Sequence, residues 1–153
     1  MLVTQKPRRR FWTAAHGQAM VELALTLPIL TFGLVGGADL ARAFALQIAV
    51  ENGSRAGAEA YAITAANVRT LAQAQVAAIE EINRTPTAAA TTSMVEVTLT
   101  RADGVVVASC TSTIAAPCFV NVRVQYGWRT LIDWPLIPNS GTFDRTTTMR
   151  TFF

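Results

Sequence analysis

The stretch that decides the reading is HGQAMVELALTLPILTFGLVGGAD, residues 16–39. From Leu23 to Ala38 it holds no charge, and Ala19–Val21 extend the apolar run upstream. A membrane span needs about 20 mainly apolar residues, and residues 19–38 meet that need. Glu22 stands just inside the edge. An unpaired carboxylate in lipid costs about 2.5 kcal/mol or more. Either a partner offsets that cost, or the side chain reaches back to the headgroups.

The flanks fix the orientation. Lys6, Arg8, Arg9 and Arg10 put four positive charges within the first ten residues, and the remainder carries nine arginines against ten acids. The net charge of +3 is therefore a basic tip on a balanced body. Basic residues stay on the cytoplasmic side of a span, so residues 1–17 read as a cytoplasmic leader. No body-wide basic surface exists to hold a phosphate backbone, which argues against nucleic acid as a partner. Only 15% of the 153 residues are charged, against about 25% in soluble domains, so membrane lipid is the expected surroundings of the run.

Beyond the run, DLARAFALQIAVENGSRAGAEAYA is alanine-rich and lacks strand alternation. Asp39 and Arg42 stand at i,i+3, Glu51 and Arg55 at i,i+4, which puts opposite charges on one helix face. One helix over about 18–62 follows, roughly 65–70 Å long at 1.5 Å per residue. The membrane accommodates less than half of it. Pro28 removes one backbone hydrogen bond, predicting a kink or local melting. Asp39 and Arg42 read as an ion pair at the helix edge that marks the end of the span. The alternative is that they staple neighbouring helices. Gly33, Gly36 and Gly37 in the run, and Gly53 and Gly57 beyond it, offer small faces for close helix approach. The second set is a GxxxG outside the span, where that motif is weak.

Residues 63–153 read as an extracytoplasmic α+β domain. A second helix is expected over Asn67–Asn83, with Asn67 as N-cap and Val68, Leu71, Val76, Ile79 and Ile82 as its apolar course. The period then changes to two. Met94–Thr100 alternates, Ala102-Asp103-Gly104 is a hairpin turn, and Val105–Val107 is the return strand. Phe119–Tyr126 alternates again, and Phe143–Phe152 is Thr-rich and strand-like. A small antiparallel sheet of about four strands results. So few residues make a thin core, so the sheet is expected to lean on the outer half of the long helix. Trp128 and Trp134 read as core aromatics of the sheet in preference to membrane-interface anchors. Cys110 and Cys118 flank a loop-like TSTIAAP, and in an oxidising compartment they would close a small disulfide loop.

Catalytic chemistry is hard to assemble. His16, the single histidine, lies on the cytoplasmic side by the charge rule, so no exported serine or cysteine can pair with it. Glu80 and Glu81 are neighbours on an amphipathic helix, a solvated arrangement and not an acid–base pair. VGGAD sits inside the apolar helix and not after a strand, so it is no phosphate loop. No metal-ligating set and no cofactor are implied, and no enzymatic activity is expected.

A secretory signal carries its cleavage site beyond the apolar run. Here Ala15-His16-Gly17 precedes it. Cutting after Gly17 would leave Gln18 as the new N-terminus and Glu22 as the fifth residue, the arrangement of type IV pilins. AMVELALTLPILTFGLVGGADLARAF resembles the TadE-like pseudopilins of the tight-adherence (Tad) pilus. The matching residues are Gly17, Glu22, Leu27-Pro28, Asp39, Arg42 and Phe44, followed by Arg55-Ala56-Gly57-Ala58. VNVRVQYGWRTLIDWPLIP and the closing TTTMR are similar to the family's C-terminal pattern. Glu22 is followed by Leu23, where the major pilins carry tyrosine, which fits the minor pseudopilins.

The resemblance implies a long helix followed by a small sheet domain, with cleavage at Gly17–Gln18 by a prepilin peptidase. It implies a role for Glu22 in subunit assembly. The expected partners are other pilins or pseudopilins, the peptidase and the inner-membrane pilus assembly platform. The expected location is the bacterial inner membrane, single-pass, with the pilus as a further destination. The rival reading, from a different class, is a permanently anchored extracytoplasmic binding module that enters no filament.

Overall fold

The computed structural model describes residues 12–63, 70–135 and 137–152, with side chains from Gly17 onward. The leader's basic residues, the side chain of His16, and Asn67 lie outside the described residues. The architecture is α+β: α1 (Trp12–Ala62), α2 (Leu71–Asn83), β1 (Val95–Arg101), β2 (Val106–Val107), β3 (Cys118–Arg129) and β4 (Ser140–Arg150). Two compact units divide the chain, Met1–Leu40 and Ala41–Phe153.

In the first unit α1 is apolar on all sides. It stays helical through Pro28, so the local melting that a proline invites does not occur. Two hydroxyls in this apolar stretch are satisfied by its own backbone. Thr26 Oγ1 donates to the Glu22 carbonyl and Thr31 Oγ1 donates to that of Leu27 at 2.8 Å. Back-bonding to residue i−4 lets a threonine sit in an apolar helix without an outside partner.

In the second unit α1 gains a buried face: Leu46, Ala49, Val50, Ser54, Ala58 and Ala62 recur every three or four residues. That stripe is what a helix packed on one side requires. α2 begins at a reciprocal cap. The Thr70 hydroxyl accepts from Gln73 N, and the Gln73 side chain accepts from Thr70 N at 3.1 Å. Such a box satisfies two otherwise orphaned N–H groups, and it starts the helix later than the expected Asn67. The buried face of α2 also differs from the expected apolar course. Ala74, Ala78 and Ile82 are buried, while Val76 is exposed. The cause is close approach. A Cβ on Gly53 would overlap the Ile82 side chain, and one on Gly57 would stand 3.0 Å from Ala78 Cβ and 3.2 Å from Val122 Cγ1. Gly53 makes room for the Ile82 side chain and Gly57 for Ala74 and Ala78, so these residues of α2, and not Val76, face α1.

The sheet is antiparallel, in the order β2-β1-β3-β4. Its inner face carries Val95, Leu99, Val120, Val122, Val124 and Tyr126, all buried. Trp128 takes a core role, stacked on Phe143 with ring centroids 5.9 Å apart. The outer face is a polar ladder. Asn121 donates to Thr100 Oγ1 at 3.0 Å and accepts from Thr148 Oγ1 at 2.7 Å. One apolar and one polar face is the pattern of an antiparallel sheet covered on one side. Gly104 turns the chain between β1 and β2 at φ 82°, a conformation that costs glycine little. The Asp103 carboxylate accepts from Val105 N across that turn at 3.0 Å. A disulfide joins Cys110 to Cys118, with Cα atoms 6.1 Å apart, and ties the loop before β3 to that strand's first residue.

Candidate functional site

The helix from Gly17 to Ala38 carries the residues that the sequence singles out. Nine large apolar side chains between Met20 and Leu34 are each 57–76% exposed: Met20, Val21, Leu23, Leu25, Leu27, Ile29, Leu30, Phe32 and Leu34. They are distributed around the whole circumference. A helix apolar all round belongs inside a protein core or a membrane. Burying these side chains is worth on the order of 10 kcal/mol, so this surface requires lipid or other helices. By length and composition α1 is able to cross a membrane.

Glu22 is exposed on this surface. Gln18 stands one turn before it, at i,i+4, so a group at residue 18 and the Glu22 carboxylate share one helix face. Gly17 and Gln18 are both exposed. Among the described residues, nothing beyond the helix's own backbone approaches Gly17, Gly33 or Gly37 within 4 Å of where a Cβ would be. Pro28 lacks the N–H that would bond the Ala24 carbonyl, which leaves that carbonyl an acceptor in the middle of the apolar stretch.

Asp39 closes the stretch. It is only 5% exposed, in contrast to the residues before it. Arg42, one turn on, is half-buried, and both residues are engaged by other groups. A buried carboxylate needs such partners to keep its charge.

The disulfide cysteines stand apart from these residues, at the start of β3. On the polar face of the sheet, Arg123 grips Asp144 through Nε at 3.0 and 3.2 Å and through Nη2. Gln125 Nε2 adds a bond to the same carboxylate at 3.0 Å. Hydrogen bonding to Arg123, then to Gln125, lowers the Asp144 pKa from 3.8 to about 2. Alternation predicts this outer face. It does not predict which acid meets which arginine, because that follows from the β3–β4 register, which sets Gln125 opposite Asp144 and Arg123 opposite Thr146.

Residues 17–59 match the family model described as TadE-like protein. Over that stretch the chain is similar to TadE-like proteins. The match begins at Gly17 and takes in Glu22, Pro28, Asp39, Arg42 and the Gly53–Gly57 pair. It agrees with the resemblance read from the sequence, whose C-terminal part lies outside the matched residues. No curated protein and no solved structure matches the chain.

Proposed function

We propose that this chain is a minor pseudopilin-type membrane protein of a Tad-type pilus. It is non-enzymatic and helps the pilus to assemble and adhere. The observation that carries the reading is the TadE-like helix itself: exposed and apolar on all sides, with one carboxylate a turn after Gly17. The N-terminus is cytoplasmic, and the α+β unit lies on the far side of the inner membrane. A prepilin peptidase cuts between Gly17 and Gln18. That cut removes the four basic residues of the tip and creates an α-amino group at Gln18. Glu22 then pairs with the α-amino group of a neighbouring subunit, which offsets the cost of its desolvation and fixes register. Other pilins and the inner-membrane assembly platform are the partners.

Mass and N-terminal sequencing of the protein extracted from its native membrane test this. A mature chain starting at Gln18 is expected. A chain still starting at Met1 would instead leave a fixed anchor bearing an extracytoplasmic module. The glutamate is tested separately by co-purification with other pilins, where Glu22→Gln and Glu22→Ala should both lose the complexes. Undiminished complexes would remove Glu22 from the mechanism.

A further inference from the structure

The loop joining β3 to β4 holds an apolar surface that the assembly reading leaves unused. Leu131, Ile132 and Ile137 are exposed, and Trp134, in the same loop, is half-buried. We propose that this loop is a second membrane contact, which seats Ile132, Trp134 and Ile137 in the headgroup region of the leaflet from which α1 emerges. The proposal rests on the reading of α1 as a membrane span.

Position within the second unit supports it. Ser54 Oγ lies 2.7 Å from Thr147 Oγ1, and further along Phe152 N donates to the Ala62 carbonyl at 3.4 Å. α1 and β4 therefore run in the same direction. Backwards from Thr147, β4 reaches Ser140 after about 23 Å at 3.3 Å per residue. Backwards from Ser54, the helix reaches Ala41 after about 20 Å at 1.5 Å per residue. The β3–β4 loop thus lies at the end of the unit where the helix enters. By chain connection alone that end is three residues from Ala38, the last residue of the uncharged run.

The loop's chemistry supports it independently. Lipid penalises unpaired backbone groups, and Asn139 satisfies several of this loop's own. Asn139 Oδ1 accepts from Trp134 N at 2.6 Å, and Asn139 Nδ2 donates to the Trp134 carbonyl at 3.2 Å. Thr130 N closes the neck on the Asn139 carbonyl at 2.9 Å. Pro135 and Pro138 have no N–H at all. Asp133, the one acid of the loop, stands 3.6 Å from Arg129 at the end of β3, and this pairing lowers the cost of bringing it to a neutral headgroup layer. Tryptophan with aliphatic neighbours is the composition of the interfacial belt of membrane proteins.

The test uses the full chain in phosphatidylcholine vesicles. Trp12→Phe with Trp128→Phe leaves Trp134 as the sole indole, and lipids brominated near the headgroup should quench its emission about two-fold or more. Aqueous iodide should have little effect. The unaltered chain gives a second measurement, in which a lipid-borne diazirine should label the peptide containing residues 130–139. Flotation reads the helix separately. Protein that floats with vesicles while Trp134 is quenched by iodide and not by bromolipid, or while the peptide stays unlabelled, overturns the contact and leaves the span standing. Cross-linking of the loop to a second protein instead of lipid also overturns it. Protein that fails to float removes the span, and the contact falls with it.

Discussion

The two stretches of α1 differ both in composition and in what surrounds them. Residues 17–38 carry five leucines, four glycines and one charge, whereas residues 41–62 carry eight alanines, one leucine, two glycines and four charges. In the first, apolar side chains point outward on every side, and among the described residues no atom beyond the helix's own backbone lies within 4 Å of a Cβ at Gly33 or Gly37. In the second, one face is buried, and Gly53 and Gly57 are pressed against α2 and the sheet. A glycine in a helix costs nearly 1 kcal/mol relative to alanine. In the second stretch the close approach that Gly53 and Gly57 permit offsets that cost inside this chain. For the first stretch, any offset must come from outside it.

The sharpest way to break this comparison is to add bulk to each glycine pair. Gly53→Leu drives a branched side chain into Ile82 and should destabilise the second unit by about 3 kcal/mol or more. Gly33→Leu should leave its thermal melting in detergent unchanged. Equal losses from both would mean that the first stretch also packs within the chain.

Removing the disulfide by Cys110→Ser with Cys118→Ser should cost about 2–3 kcal/mol through loop-closure entropy. Denaturant titration of the variant beside the parent measures it. The loss should be confined to the unit that holds β3, with helicity of the apolar stretch in detergent unaffected.

Ser54→Ala has a smaller effect. Ser54 is fully buried, donates to Glu51 O at 2.9 Å or shares its proton with Thr147 Oγ1 at 2.7 Å. Losing those bonds should cost about 1–2 kcal/mol. Thr26→Ala, whose hydroxyl only bonds its own helix, should leave the melting of the second unit unchanged.

The smallest effect concerns Asp144. Its pKa is lowered on folding, so its contribution to stability is present above pH 3.8 and is lost as pH falls towards about 2. Asp144→Asn should flatten the pH dependence of unfolding in that window and change little at pH 7, because the pair is exposed and screened by solvent. An unchanged acid limb in the variant would show that the Arg123–Asp144 pair has no part in it.

Much of the fold was legible. The uncharged run, the shift to a period of two at Val95, the Asp103-Gly104 turn and the alternation of Val120, Val122 and Val124 each point to the element found there. These are local signals, set by which side chains face water and which φ values glycine allows. The start of α2 is set by the Thr70…Gln73 capping box, which lies one turn after Asn67, a cap by residue type alone. The exposed valine of α2 was not legible. Val76 looks like a core residue until Gly53 and Gly57 set the face of α2 that meets α1, which is Ala74, Ala78 and Ile82.

The sequence by itself determined that residues 19–38 form an apolar helix able to span a membrane, with one acid at its edge and a small α+β unit after it. Hydrophobic period and charge placement suffice for that, because they depend on solvent and not on partners. Only the tertiary structure decided which glycines are closed, which alanines are core, that β3 lies between β1 and β4, and that Asp144 meets Arg123. Those outcomes depend on pairs of residues far apart in the chain, and the packing distance between their backbones sets which side chains can meet.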